Sequence, residues 1–222
     1  MIRAVIFDVD GTLVTFTFDI VGTRSAIIRE LLRRGYSTSN LNTKTLTQIM
    51  LDSAKEQVDS GRVKDDYQTL RSRIFSMLDR FELDSAREAK PLHGALKTLQ
   101  ALRLSSMRLG ALTNSGRAGA TRVLQKSGLM KVFELILTRD DVPAMKPRPD
   151  GILRALDVLN LSKDELLYVG DSVYDIQAAD AAGVRVASVA TGNYSRERLG
   201  AEGPDLIMSS ISELPALLRT LS

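Results

Sequence analysis

The 222-residue chain contains no cysteine, a single histidine and no apolar run that approaches the length of a membrane span. Without cysteine there is no disulfide and no thiolate metal site, so any metal must be held by harder ligands. No basic stretch followed by an apolar segment and a small-residue cleavage site opens the chain, which sets the expectation of a soluble, cytoplasmic protein without a membrane partner. Excess charge is also scarce: 30 lysines and arginines against 27 aspartates and glutamates leave a formal net charge of +3. That balance does not call for nucleic acid as a partner, but it is compatible with anionic substrates. No Gly-x-Gly-x-x-Gly follows the first strand-like run, which excludes a dinucleotide-binding reading, and no internal repeat or low-complexity tract interrupts the chain. The length allows one domain or two, and 44% hydrophobic residues suffice for a substantial core.

What is present begins at residue 4. The unalternating run Ala4-Val5-Ile6-Phe7 suits a strand covered on both faces of a parallel sheet, and Asp8-Val9-Asp10-Gly11-Thr12 follows where it ends. Gly11 lets the chain turn sharply, and Thr12 can donate a hydroxyl to an anion. Alone, this pentapeptide reads equally well as an ordinary turn or as a site. Three further polar clusters follow strand-like runs. Thr113-Asn114-Ser115-Gly116 comes after Met107 to Leu112, and a loop reaching Lys146-Pro147 comes after Val132 to Leu137. Gly170-Asp171-Ser172 with Asp175 comes after Leu166 to Val169. In one parallel sheet all four clusters meet at the carboxyl edge, where ligands of open α/β sheets collect.

Up to four carboxylates, Asp8, Asp10, Asp171 and Asp175, then converge. Two such charges about 4 Å apart repel by about 4 kcal/mol at an effective dielectric of about 20, so a cation is required. All-oxygen ligands favour a hard ion, and a few carboxylates with a substrate phosphate is the usual magnesium arrangement. Lys146 adds a fixed positive charge, while the Thr113 hydroxyl and the backbone amides of Asn114 and Ser115 are suited to phosphate oxygens.

These four motifs, in order and spacing, resemble those of the haloacid dehalogenase superfamily of hydrolases. The resemblance runs over nearly the whole chain. It implies that Asp8 is the nucleophile that forms an aspartyl-phosphate, and that Asp10 is the general acid that later activates water. It also implies catalytic and phosphate-binding roles for Thr113 and Lys146, with Asn114 beside them at the phosphate. Magnesium would be held by Asp8, by the backbone carbonyl of Asp10 and by Asp171. Asp175 would be a further ligand or the partner that orients Lys146 or a metal-bound water. Dehalogenases of the superfamily carry a non-acidic residue where this chain has Asp10, which favours phosphoryl transfer. The segment Glu88 to Ala95 further resembles the phosphoglycolate phosphatase and β-phosphoglucomutase group. That group often has an Asp-Ser or Asp-Thr pair after the position of Leu13, where this chain has Val14 to Phe18 before Asp19.

Residues 15 to 90 read differently from the rest. Helical spacing predicts helices over Ile20 to Arg34, with Asp19 as cap, over about Thr43 to Ser60, and along Tyr67, Leu70, Ile74, Leu78 and Phe81. From Pro91 onward, strand-like runs alternate with helices at Ala95 to Leu104, Arg117 to Lys126, Asp150 to Leu159, Val173 to Ala182 and Ile211 to Leu221. The expected fold is an α/β, doubly wound, Rossmann-like, mainly parallel sheet. Its core is residues 1–14 and 91–222, and 15–90 form an inserted helical cap. By the resemblance, the cap closes over the site; its hinges are expected at Val14 to Thr17 and Ala89 to Leu92, where both chain crossings must flex. His93, in a loop before a helix, is assigned no role, and the arginines of the insertion are read mainly as solvated helix faces.

The leading functional reading is a magnesium-dependent phosphatase acting on a small phosphomonoester, such as phosphoglycolate or a sugar phosphate. The alternatives are a phosphomutase of the β-phosphoglucomutase type and, against the size of the insertion, a receiver-like phosphoacceptor module.

Overall fold

The computed structural model describes residues 1–15 and 18–219. It contains a six-stranded sheet, parallel throughout, in the order β3-β2-β1-β4-β5-β6. The strands are β1 Ala4–Phe7, β2 Arg108–Leu112, β3 Leu135–Leu137, β4 Leu166–Gly170, β5 Arg185–Val189 and β6 Leu206–Met208. β1 lies at the centre, with Ile6 opposite Gly110 of β2 on one side and Tyr168 of β4 on the other. Its four side chains are fully buried, which is why the run shows no polar alternation.

Two apolar layers cover the sheet. Val5 and Phe7 pack with Leu99 and Leu102 of α4 (Ala95–Leu104), Leu124 of α5 (Arg117–Lys126) and Leu214 of α9 (Leu214–Leu218). Ala4 and Ile6 point the other way, toward Ile152 and Ala155 of α6 (Asp150–Leu159) and Ile176 and Ala179 of α7 (Val173–Ala182). The chain leaves β1 on one face to reach β2 and returns on the other to reach β4. The carboxyl ends of β1 and β4 therefore flank the point where the strand order reverses.

Helices α4 to α7 occupy the expected spans, whereas β3 is shorter than its apolar run because Met130–Val132 forms a 3₁₀ turn. The last helix also differs. Ile211–Glu213 is a 3₁₀ turn opened by a capping box at Ser210, and α9 begins only at Leu214, with Pro215 in its first turn. The expected end at Leu221 lies outside the described residues. Strands β5 and β6 were not singled out in the sequence.

The chain divides into two compact units, 1–16 with 86–222, and 17–85. The return to the first unit comes at residue 86 because Ala86 and Ala89 are buried in its core. Within that unit, Thr15 N–H donates to the Lys90 carbonyl (2.8 Å) and Leu92 N–H to the Leu13 carbonyl (2.9 Å), so the two chain crossings are zipped together. Of the expected hinge residues, Phe16 and Thr17 lie outside the described residues.

The second unit is three helices: α1 Ile20–Arg33, α2 Thr47–Asp59 and α3 Tyr67–Ser85. Asp19 caps α1 by accepting from Gly22 N–H at 2.9 Å. α2 starts four residues later than the apolar spacing suggests. Asn42 draws the chain into a turn, its side chain accepting from Lys44 N–H (2.8 Å) and its carbonyl from Thr45 N–H (2.9 Å). The helices bury Ile27 and Leu31, Met50, Leu51 and Ala54, and Leu70, Ile74 and Leu78. No helix of the described residues is long and apolar enough to cross a membrane.

Candidate active site

Asp8 follows β1 directly, and its N–H continues the ladder to the Val169 carbonyl at 2.8 Å. Its carboxylate is thereby fixed at the sheet edge. The chain then turns at Gly11, whose φ of +93° is open to glycine at little cost. Asp171 follows β4, and Lys146 lies in the loop before α6. The Lys146 ammonium joins these elements, donating to Asp8 Oδ1 (2.6 Å), Asp175 Oδ1 (2.7 Å) and the Tyr168 hydroxyl (2.9 Å). It is 7% exposed, and a cation held that far from water must have anionic partners. Burial by itself lowers its pKa, but Asp175 and Asp8 outweigh this and raise it well above the ordinary lysine value.

Asp175 completes the support for Lys146. One oxygen takes Lys146 and the Tyr168 hydroxyl (3.0 Å), and the other takes the N–H (3.0 Å) and hydroxyl (2.6 Å) of Ser172, the capping box of α7. Asn114 holds the same loop from the other side. Its side chain accepts from Lys146 N–H (2.9 Å) and donates to the Lys146 carbonyl (3.1 Å), so it grips backbone.

Asp10 Oδ2 accepts from the hydroxyls of Ser115 (3.1 Å) and Thr113 (3.3 Å). The Ser115 N–H, suited in the sequence to a phosphate oxygen, donates here to Thr113 Oγ1 at 3.0 Å. Arg139, fully buried, ties this loop to the end of β3 through its N–H to the Ser115 carbonyl (3.2 Å).

All seven residues singled out in the sequence (Asp8, Asp10, Thr113, Asn114, Lys146, Asp171 and Asp175) are gathered at this one edge of the sheet. Asp171 stands beside the hydrogen-bonded network, with an oxygen within 4.8 Å of those of Asp8 and Asp175, and accepts from the Thr12 hydroxyl at 3.0 Å. Sequence reasoning missed Tyr168, Gly192 and the hydroxyl of Ser115, of which it reads only the backbone amide. Tyr168 was legible as a polar group inside the apolar run of β4, and the Ser115 hydroxyl from its place next to Thr113. Gly192 gave no signal at all, although a Cβ on it would lie 1.6 Å from Asp171 Oδ2.

The electrostatics are unbalanced. Burial, only partly offset by Lys146 and added to by Asp175 and Asp10, pushes the Asp8 carboxyl up. Burial followed by Asp8 and Asp175 pushes Asp171 up as well. Asp10 is raised by burial against its two hydroxyl donors. One ammonium thus faces four carboxylates. An oxygen from each of Asp8, Asp171 and Asp175 lies within 4.8 Å of the others, a donor set that fits a hard divalent cation.

The comparisons with known proteins agree in scope. Residues 5–189 match the family model described as haloacid dehalogenase-like hydrolase. The chain is 30% identical over 213 residues to a phosphoglycolate phosphatase of Thiobacillus denitrificans, covering 96% of this chain and 93% of that one. It is 27% identical over 218 residues to the pyrophosphatase PpaX of Halalkalibacterium halodurans, covering 96% and 95%. A hydrolase from Pseudomonas syringae has the same fold at a TM-score of 0.69, with 24% identity and 99% of each chain covered.

Proposed function

The chain belongs to the haloacid dehalogenase-like hydrolase family, and we propose that within it this protein is a magnesium-dependent phosphatase that hydrolyses a small phosphomonoester through an aspartyl-phosphate on Asp8. The observation that carries this reading is the buried Asp8–Lys146–Asp175 chain with Asp10 two residues beyond the nucleophile. A carboxylate held at one oxygen by an ammonium is oriented for attack through the other.

The residues divide the work as follows. Asp8 attacks phosphorus through Oδ2, forming an acyl-phosphate bond as the ester P–O bond breaks. Asp10, whose carboxyl burial pushes up from its ordinary value, gives its proton to the departing alkoxide. It then takes a proton from the water that attacks the aspartyl-phosphate, and inorganic phosphate leaves with Asp8 regenerated. Lys146 holds Asp8 in place and balances negative charge on the phosphoryl oxygens. The hydroxyls of Thr113 and Ser115 keep Asp10 aimed. Asp8, Asp171 and the backbone carbonyl of Asp10 would hold magnesium, with Asp175 serving chiefly to orient Lys146. When bound, the ion supplies positive charge that offsets the acidic cluster and the substrate phosphate.

A location in the cytoplasm and a free small-molecule substrate are part of the same proposal, and the helical unit 17–85 is assigned the selection of substrate. Relatives named for phosphoglycolate and for pyrophosphate make these the first two compounds to try. The test is a panel of phosphoglycolate, sugar phosphates, pyrophosphate and 2-haloacids, each with magnesium and with EDTA. Magnesium-dependent release of phosphate from at least one small ester is expected. Halide release without metal, or isomerisation of a sugar phosphate exceeding hydrolysis, would overturn the reading.

A further inference from the structure

Asp171 is confined by more than the loop that carries it. Its Oδ1 is held by Thr12, and its Oδ2 is bounded by two glycines from different segments. A Cβ built on Gly11 would come within 2.4 Å of that oxygen, and one on Gly192 within 1.6 Å. Nonbonded heavy atoms ordinarily approach to about 3.5 Å, so neither position has room for any side chain while the carboxylate stays where it is.

Gly192 lies in the loop between β5 and α8 (Arg196–Gly200), which is fastened on both sides of it. Ala190 N–H donates to the Met208 carbonyl of β6 at 3.0 Å, and the Thr191 hydroxyl donates to the Gly11 carbonyl at 2.7 Å. Tyr194 packs edge-on against Tyr174 in the first turn of α7, ring centres 6.0 Å apart. The loop therefore touches the turn after β1 and the helix after β4, the two segments that bring Asp8 and Asp171 together.

We propose that the segment 190–194 is a positioning clamp for the metal site, in which Gly192 sets where the Asp171 carboxylate stands and Thr191 locks the clamp to Gly11. This rests on the reading of Asp171 as a metal ligand. In Gly192→Ala the added methyl displaces either the carboxylate, which changes the spacing of Asp171 from Asp8, or the loop, which pulls through Thr191 on Gly11 in the turn after Asp8. Thr191→Val removes one hydrogen bond and no volume, so it tests the clamp without overpacking.

The experiment is calorimetric titration of Mg²⁺ into wild type, Gly192→Ala, Thr191→Val, Asp171→Asn and the Gly192→Ala/Asp171→Asn pair, with near-ultraviolet circular dichroism as the check on folding. Expected are at least a 10-fold weaker Kd for Gly192→Ala, about 3-fold for Thr191→Val, and no additional loss from Gly192→Ala once Asp171 is asparagine. Absence of Mg²⁺ binding by wild type overturns the metal reading itself. Tight binding by wild type with an unchanged Kd in a folded Gly192→Ala overturns the clamp alone, as does a lowered Tm with an unchanged Kd. If Gly192→Ala does not fold, an unchanged Kd in Thr191→Val overturns it.

Discussion

Asp8 and Asp10 stand two positions apart and meet different neighbours, and on the proposed mechanism that difference assigns them separable roles. Asp8 is held by an ammonium, Asp10 by two hydroxyls. Asp8→Asn is expected to lower turnover by about 10⁴-fold or more while near-ultraviolet circular dichroism stays unchanged, because an amide is not a nucleophile toward phosphorus. Trapping with a fluoride-based phosphoryl analogue should place the group on Asp8 in wild type only. Asp10→Asn is expected to cost about 10²- to 10⁴-fold, and the loss should shrink for esters such as aryl phosphates whose leaving groups need no proton. A deficit equally large for alkyl and aryl esters would take the acid role away from Asp10.

At the scale of elements, α1 and α3 are joined by a polar contact inside their packing. Glu30 of α1 accepts from Arg33 (2.9 and 2.7 Å) and from Arg73 of α3 (2.5 Å). The hydrogen bond from Arg33 comes first among the causes that bring its pKa down to about 2 against the opposing effect of burial. The carboxylate thus holds its proton more weakly when folded. Its stabilisation is fully present above the unfolded value near 4.5 and is lost as pH falls through about 2. Both arginine side chains are more than half exposed, so Glu30→Gln should cost only about 1 kcal/mol at neutral pH. Denaturant titration at pH 7 and at pH 2 should show the difference from wild type shrinking at the lower pH. A constant difference would mean that charge is not the cause.

At the scale of the molecule, both core clusters of the sheet are built entirely from residues outside 17–85. Replacing 17–85 by a short flexible linker is therefore expected to leave a core that folds and binds magnesium. Its activity should be low, and its ratio of kcat/KM for a small over a bulky ester should fall toward one. A ratio unchanged from wild type would place selection in the sheet loops. The acidic cluster predicts a second global behaviour. The folded-state pKa values of Asp8 and Asp171 are raised, so without metal the folded state binds more protons than the unfolded one, and stability falls as pH rises above about 4. A bound cation keeps these groups ionised and removes the penalty. The rise in Tm on adding Mg²⁺ should accordingly grow from pH 5 to pH 8, and a rise that is flat or larger at pH 5 would contradict the assignment of these carboxylates to the metal.

Much of this was legible in the sequence because the residues of the candidate site sit where strands end. An unalternating apolar run followed by Asp8 and Asp10 needs only local information to be read, and so do the helix spans of α4 to α7. The order of the four motifs along the chain carried the family and the doubly wound sheet. What the sequence could not determine depends on contacts made across the sheet. The Asn114 side chain grips the backbone of a loop 32 positions away, and Tyr168 reaches Lys146 only because β4 lies beside β1. Gly192 matters through the absence of a side chain beside a carboxylate 21 positions earlier. Side-chain type records what a residue can do. Where two distant segments come within 3 Å of each other is set by packing, and only the tertiary structure decides it.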